Sequence, residues 1–237
     1  MDREHSFPLR ALPRAFVLGL ESYDEPFELP QEELDKFRKV LRLQTGEEIA
    51  ILPGDGRLIR CRLEGRNAIP LAVYQPNTES PLRLTVLQSL PKADKIEEIV
   101  RACTEIGVAG FVLFHSERTV VRWDEDKMSK HLRRLAAIAR EACEVSFRTM
   151  LPSFSVAADL AAALAKYPEA IVLSESENTI AAISKPKSNE AQICIGPEGG
   201  WTPAELELIG KRGVTLGPRV LRVDHAAAAA ASILLLG

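Results

Sequence analysis

AQICIGPEGGWTPAEL, residues Ala191–Leu206, joins an apolar run of strand type to the start of a helix through a loop rich in glycine. Thr202, Pro203 and Glu205 predict that helix start, because a threonine N-cap, a proline at the first helical position and a glutamate three residues past the cap form a capping box. Gly199 and Gly200 leave bare main chain in front of it. Such a loop is typical of a ligand site.

The ligand is not predicted to be a nucleotide held by its phosphates. No GxxxxGK[ST] sequence occurs, and Glu198 puts a negative charge where phosphates would lie. An acid beside a glycine-lined loop better suits a ligand that is neutral or positive at the contact, such as a nucleoside with a sulfonium. A simple strand-to-helix turn would also explain the glycines, so the loop alone leaves both interpretations open.

Two patterns of elements divide the chain. After residue 82, apolar strand-type runs alternate with amphipathic stretches, which predicts an α/β fold with a mostly parallel sheet covered by helices on both faces. Before it, EEIAILPGDGRLIRCRLEG reads as two strands joined at a turn and predicts a small β-rich module. The polar stretch QPNTESP separates the patterns, so we predict domains over residues 1–75 and 82–237.

Composition narrows the class of protein. Lys and Arg total 30 against 33 Asp and Glu, so any site for a polyanion has to be a local patch. The four cysteines form no CxxC pair, which argues against a zinc site and a disulfide framework and favours a reducing compartment. The longest apolar run, Ala226–Leu236, is shorter than the roughly 20 residues that span a bilayer. We therefore expect a soluble cytoplasmic protein without a metal.

Three loops follow predicted strands of the second domain. They are Ser174–Glu177, Gly196–Gly200 and Gly217–Arg219. Because ligands of open α/β sheets bind beyond the carboxyl ends of the strands, these loops are the candidates for the site.

The segments IGPEGGWTPAELELI and LGPRVLRVDHAAAAAASILLLG together resemble the C-terminal signature of the SPOUT methyltransferases. Among the SPOUT methyltransferases, the chain is most similar to the RsmE family, which methylates N3 of a uridine in 16S ribosomal RNA of the small subunit. Two further segments also resemble that family, KADKIEEIVRACTEIGV and SERTVVRW. The N-terminal segment FRKVLRLQTGEEIAILPGDGRL is similar to its PUA-like RNA-binding module. The resemblance covers nearly the whole chain.

The resemblance implies a SPOUT-type trefoil-knotted sheet, a PUA-like N-terminal domain and a homodimer in which the partner completes the active site. It also implies that S-adenosyl-L-methionine lies against three knot loops, here Leu173–Ser176, Ile195–Gly200 and Leu216–Leu221. The donor-binding residues expected in these loops are Leu173, Ser174, Glu175, Ile195, Gly196, Pro197, Glu198, Gly199, Gly200, Leu216, Gly217, Val220 and Leu221.

Catalytic candidates cluster in GPRVLRVDH. Arg219 and Arg222 could hold phosphate or offset charge on the uracil oxygens, and Arg222 is the preferred catalytic residue. Asp224 could orient Arg222, accept a proton through water, or cap the last helix. His225 could act as a base, because histidine titrates near neutral pH.

Two segments depart from the family pattern. Val223, Asp224 and His225 stand where relatives usually carry Thr-Glu-Thr, and Val145 and Phe147 replace a polar residue and a glycine before Arg148. These departures raise the alternative of a ribosome-binding factor that keeps the fold without turnover. Another SPOUT enzyme, for example one acting on ribose 2'-O of tRNA, is a further alternative.

RNA contacts are expected from local basic patches. Alternate spacing places two of the candidate arginines on one face of a strand, which suits a phosphate track, although a solvated strand edge has the same pattern. Trp123 and Trp201 are predicted to be packing residues. The RNA-binding candidates are Arg10, Arg14, Arg60 and Arg62 (the pair on one strand), Arg118, Arg122 and Arg148.

Overall fold

The computed structural model describes residues 8–92, 95–175 and 182–236 and divides into two compact units. The first is Met1–Glu79 with Cys143–Leu151, and the second is Ser80–Ala142 with Pro152–Gly237. The division after Glu79 falls within the predicted linker. Cys143–Leu151, which we placed in the domain 82–237, belongs to the first unit, because Cys143 and Phe147 are buried in one of its hydrophobic clusters.

The first unit is built on a five-stranded sheet in the order β1-β3-β4-β5-β2. Strand β1 runs parallel to β3, and the other neighbours are antiparallel. A short helix α1 continues into a π-helical turn at Lys36–Val40. The β-rich prediction is confirmed. The bounds are β1 Arg14–Phe16, β2 Phe27–Glu28, α1 Gln31–Asp35, β3 Glu48–Leu52, β4 Leu58–Glu64 and β5 Asn67–Tyr74.

The second unit contains a six-stranded sheet in the order β11-β9-β10-β6-β7-β8, and all its neighbouring strands are parallel. The alternation of apolar runs with helical stretches predicted such a sheet, and the prediction is confirmed. The strands are β6 Arg83–Ser89, β7 Gly110–His115, β8 Ser153–Asp159, β9 Ile171–Leu173, β10 Glu190–Ile195 and β11 Gly213–Val214.

Helices cover both faces of this sheet, because successive side chains of its strands point to opposite sides. On one face, Val86, Phe111 and Ile193 pack with apolar residues of α2, α3 and α6. On the other face, Leu87 and Val112 pack with α4 and the region of α5. The helices are α2 Lys95–Ile106, α3 Glu125–Ser146, α4 Leu160–Lys166, α5 Pro203–Ile209 and α6 Val223–Leu235, and the last turn of α3 belongs to the first unit.

Helix α3 ends in a left-handed residue that is not glycine. Phe147 has a φ of 62°, and the amide of Arg148 donates to the carbonyl of Cys143 at 2.9 Å. This is the position where helices commonly place glycine, which agrees with the glycine that the resemblance leads us to expect there. The ring of Phe147 is buried, and the guanidinium of Arg14 lies over it, 4.7 Å from its centroid. Packing of the ring therefore offsets backbone strain.

Within the described residues, no helix is both long and apolar enough to cross a membrane, and no group of three or more His, Cys, Asp or Glu could hold a metal ion. The four cysteines are buried free thiols. Burial raises the pKa of Cys61, Cys103 and Cys143 to about 12, so these thiols stay protonated and unreactive at neutral pH.

Candidate active site

A cavity of about 500 Å³ lies in the second unit at the carboxyl ends of β9 and β10. Leu173 and Ile195, the last residues of these strands, form part of its wall. The two strands are neighbours in the sheet, so the loops that follow them lie side by side. The segment before α6 contributes Val220 and Leu221. The cavity therefore occupies the position at which parallel α/β sheets bind ligands.

Most of the predicted donor-binding residues line this cavity. They are Leu173, Ser174, Glu175, Ile195, Gly196, Pro197, Glu198, Gly200, Val220 and Leu221.

Gly199, Leu216 and Gly217 do not line this cavity, so donor binding by these three residues stays a prediction. Gly199 lies against Arg118, and Leu216 packs on the hydrophobic core. Gly217 exchanges hydrogen bonds with the Thr215 hydroxyl, its amide donating at 3.1 Å and its carbonyl accepting at 2.9 Å. Ser176 and Glu177, the end of the predicted loop Ser174–Glu177, lie outside the described residues.

Further residues line the cavity without having been predicted to do so. Lys95 comes from the start of α2, a segment about a hundred residues away in sequence, and no local pattern links it to the glycine loop. Val223 and Ala226 follow Arg222 on the same face of α6, and this helical spacing could have revealed them. The complete set of such residues is Lys95, Arg118, Trp201, Leu206, Val223 and Ala226.

The glycines of the loop have separate structural reasons. A Cβ on Gly196 would lie 3.0 Å from the Trp201 ring, and one on Gly199 would lie 3.2 Å from Cβ of Arg118. Gly200 has a φ of +67°, which disfavours other residues. The need for a tight turn therefore explains part of the glycine content of the loop. The cavity explains why this glycine-rich loop lies at the end of β10.

Hydrogen bonds from distant segments brace this loop. The predicted capping box is present, with Thr202 accepting from the amide of Glu205 and Glu205 accepting from that of Thr202. The other carboxylate oxygen of Glu205 accepts from the amide of Glu117 at 2.9 Å. Arg118 donates to the carbonyl of Gly199 at 2.8 Å. The loop is therefore tied to the segment that follows β7.

Glu198 is also engaged. Its Oε1 accepts from Nζ of Lys95 at 2.8 Å and from the amide of Lys92 at 3.0 Å. Burial on its own raises the pKa of this carboxyl, but these hydrogen bonds outweigh burial and hold the pKa below its ordinary value. The acid that we predicted to face a positive ligand is therefore already compensated by Lys95.

Trp201 both packs in the core and lines the cavity. Its ring is stacked with Phe114 at a centroid distance of 6.5 Å, and its Nε1 donates to the carbonyl of Leu173 at 2.8 Å. The packing role that we predicted is confirmed. Trp123 also packs against the core of the second unit, and its ring stacks on His131 with centroids 3.9 Å apart.

Gly196→Ala is expected to weaken donor binding by roughly tenfold, since the added methyl group would press on the Trp201 ring that forms the cavity wall. Tryptophan emission in a Trp123→Phe background reports on Trp201 alone and is expected to shift. Gly213→Ala is the matched control, because its Cβ would meet neighbours only at 3.6 Å or more. Unchanged donor affinity and emission in Gly196→Ala would contradict the prediction.

Arg222 and Asp224 form a two-point ion pair at the cavity. Nε of Arg222 lies 3.2 Å from Oδ1 of Asp224, and Nη2 lies 3.2 Å from Oδ2. The Arg222 side chain is 69% exposed and the Asp224 side chain 9%. A largely covered carboxylate therefore holds an exposed guanidinium at the cavity wall, which agrees with the predicted orienting role of Asp224.

The N-cap of α6 is Arg222, so the prediction that Asp224 caps this helix is wrong. Asp224 instead lies in the first turn, where an anion is favoured by the helix dipole. Burial tends to raise the pKa of Asp224, but hydrogen bonds from its own amide and from Arg222 hold it below its ordinary value. Arg219 is exposed and does not line the cavity, and Nε2 of His225 lies 4.0 Å from Oδ2 of Asp224.

The predicted RNA-binding arginines differ in how accessible they are. Arg148 is 4% exposed, and its Nε and Nη2 donate to Glu79 at 3.0 and 2.6 Å. Because Glu79 also accepts from the amide of Thr149, this cluster fixes the turn after α3. The prediction that Arg148 contacts RNA is corrected, since a buried and paired guanidinium cannot reach a phosphate.

The remaining arginines fall into two groups. Arg60 is bound by Glu48 through two hydrogen bonds of 2.8 and 2.7 Å, and Arg62 lies 2.9 Å from Glu64. Arg14 donates to the carbonyls of Leu12 and Glu144, and burial lowers its pKa. Arg10, Arg62, Arg118 and Arg122 are exposed, although Arg62 is held by Glu64 and Arg118 by the carbonyl of Gly199. These four arginines are therefore the accessible part of the predicted RNA-binding set.

This chain is similar in sequence and in fold to known proteins. A family model for an RNA methyltransferase domain matches residues 78–235. Ribosomal RNA small subunit methyltransferase E of Bacillus subtilis is 33% identical over 219 residues, covering 84% of this chain and 86% of that protein. This chain belongs to the ribosomal RNA small subunit methyltransferase E family. The predicted RsmE membership is thus confirmed.

Solved structures agree with membership of the methyltransferase E family. The enzyme of this name from Neisseria gonorrhoeae, bound to S-adenosyl methionine, is 29% identical, with a TM-score of 0.82 over 93% of this chain and 95% of that one. A methyltransferase from Legionella pneumophila in complex with the bound cofactor SAM is 26% identical, with a TM-score of 0.84 over 94% of this chain and 96% of that one. Both support the mixed α/β fold with its parallel sheet.

Proposed function

We propose that this protein uses S-adenosyl-L-methionine to methylate N3 of a uridine in 16S ribosomal RNA of the small ribosomal subunit. The observation that carries the proposal is the cavity at the ends of β9 and β10, where the braced glycine loop and the Arg222–Asp224 pair meet. Membership of the methyltransferase E family supports the reaction and the class of RNA.

The cavity suits the donor in size and in chemistry. A volume of about 500 Å³ falls within the range of about 300 to 1,000 Å³ that is typical of sites for small molecules. Gly196 and Gly200 place main chain without a side chain at the wall, which lets a base approach it closely, and Leu206, Val220 and Leu221 supply apolar wall. These residues would hold the adenosine part of the donor.

Arg222 is the proposed catalytic residue. The bound donor supplies an electrophilic methyl group, and N3 of uracil has to lose its proton to accept it, which leaves negative charge on the uracil oxygens. The N–H groups of Arg222 that Asp224 does not occupy can donate to those oxygens. Asp224 acts as a positioning residue, because its two contacts fix the plane of the guanidinium.

The finer features of fold and assembly are part of the same proposal. The convergence of Leu173–Glu175, Ile195–Glu198 and Val220–Leu221 at one cavity supports a trefoil knot formed by these loops. The five-stranded sheet of the first unit supports a PUA-like module that binds RNA, with Arg10 among its contacts. The exposed apolar side chains of Ile233 and Leu236 support a homodimer, and a ribosomal RNA substrate supports a cytoplasmic location.

Mapping of small-subunit ribosomal RNA by mass spectrometry, from cells with and without the gene, tests this function. We expect one uridine-containing fragment to lack a methyl group only in the deletion strain. Restoring the gene to the deletion strain should restore the methyl group on this fragment. A gene that encodes the Arg222→Ala variant should not restore it. Identical fragments in both strains would contradict the proposal, and loss of a methyl group from tRNA ribose would favour the other SPOUT activity.

A non-catalytic ribosome-binding factor is the second candidate. It is favoured by Val223, which is buried in the core, and by exposed His225, because both hydroxyls of the family triplet are missing. Donor affinity and methyl incorporation, measured separately, distinguish the two functions. Donor binding without transfer to ribosomal RNA would support the factor.

A further inference from the structure

The charged side chains on the cavity wall are unequally compensated. Three cations, Lys95, Arg118 and Arg222, and two carboxylates, Glu175 and Glu198, line the cavity. Arg222 is paired with Asp224, and Lys95 is paired with Glu198. The two carboxylates therefore face the same space in different electrostatic states.

Glu198 serves the structure of the loop. Its hydrogen bonds to Lys95 and to the amide of Lys92 tie the glycine loop to the segment around the start of α2. Because Lys95 already balances its charge, Glu198 adds little net negative potential to the cavity. Removing its charge should loosen the loop and weaken the binding of every ligand that the loop contacts.

Glu175 has no such partner. It follows β9 directly, two residues after Leu173, whose carbonyl is occupied by Trp201. Within the described residues, no hydrogen bond or ion pair reaches its carboxylate. Glu175 is exposed to solvent as a residue, but desolvation at the cavity raises the pKa of its carboxyl. Its place on the cavity wall without a paired cation leaves it able to attract a cationic ligand.

We infer that Glu175 is a specificity-determining residue that supplies the counter-charge for the sulfonium of the methyl donor and makes the site prefer the cationic donor to its neutral thioether product. The inference rests on the proposed function and deepens it. In the reaction the carbon–sulfur bond breaks with its electrons passing to sulfur, while the methyl carbon bonds to N3 and the N3 proton leaves to solvent. The positive charge at sulfur is thereby lost, and with it the attraction to Glu175.

Calorimetry with S-adenosylmethionine and S-adenosylhomocysteine tests this role. Glu175→Gln is expected to weaken binding of the cationic ligand about fivefold and that of the neutral one less than twofold, since a charge contact of an exposed residue contributes modestly. Glu198→Gln is the matched variant on the same wall. This variant is expected to weaken the binding of both ligands by the same factor, because Glu198 stabilises the loop and does not distinguish the charge of the ligand.

The outcomes are distinguishable. If Glu175→Gln leaves the ratio of the two affinities unchanged, or if only Glu198→Gln alters it, the inference is overturned while the proposed function stands. If the unaltered protein binds neither ligand, both fail. Unfolding midpoints of the two variants establish that they are folded.

A pH titration gives a second readout. Because the ionised carboxylate attracts the cation and its pKa is raised, affinity for S-adenosylmethionine should fall on acidification, and the fall should begin at a higher pH than an ordinary carboxyl would give. The other charged groups on the wall are Lys95, Arg118, Arg222 and Glu198. Glu198, with its lowered pKa, protonates only at lower pH. If the Glu175→Gln variant shows the same fall in affinity on acidification, the proposed role of Glu175 is wrong.

Discussion

Arg222→Ala is expected to lower the rate of methyl transfer by about 100-fold to 1,000-fold while donor affinity changes by less than about threefold. Its guanidinium is exposed at the cavity wall and held there by Asp224, so it can act on charge that develops on the substrate. The proposed donor contacts come mainly from the glycine loop, which the substitution leaves intact. Single-turnover methylation of ribosomal RNA and calorimetric donor binding measure the two quantities.

Arg219→Ala is the control for this prediction. Arg219 is three residues away, carries the same charge and is exposed, but it does not line the cavity. We expect a much smaller effect on turnover. Asp224→Asn should lower turnover less than Arg222→Ala, because the amide keeps part of the hydrogen bonding and loses the charge. Equal losses of donor binding and turnover in Arg222→Ala would show that its role is structural.

Phe147→Ala is expected to lower the free energy of unfolding by about 3 to 5 kcal/mol, and Phe147→Gly is expected to be less harmful by about 1 kcal/mol. Both remove a ring that is 8% exposed and packs with Leu12, Phe16 and Cys143. Only glycine relieves the backbone strain at a φ of 62°. The expected order reverses the usual rule that alanine is the more stabilising of the two, and chemical denaturation measures it.

Arg42 provides the matched control, because it is the other non-glycine residue of the described chain with positive φ, at 57°, and its side chain is exposed. The free energy of unfolding of Arg42→Gly should exceed that of Arg42→Ala by a similar amount, about 1 kcal/mol. Neither variant should show the large loss expected at Phe147, because the Arg42 side chain is not part of the core. If alanine is the more stable replacement at Phe147, the strained backbone does not govern the site.

Local patterns in the sequence determined much of this protein. The capping box at Thr202–Glu205 and the alternation behind the parallel sheet involve residues close together in the chain, so their spacing alone predicts them. The position of the glycine loop after a strand likewise predicted the cavity. The resemblance to the family supplied what spacing cannot, namely the donor and the class of RNA.

Only the tertiary structure decided the partners of charged residues. Arg148 and Glu79 are far apart in sequence, as are Lys95 and Glu198, and nothing in their local sequence indicates that they pair. The placement of Cys143–Leu151 in the first unit has the same origin. A side chain's neighbours across the fold depend on how whole elements pack, whereas helix starts and strand faces depend on hydrogen bonds and alternation within a few residues.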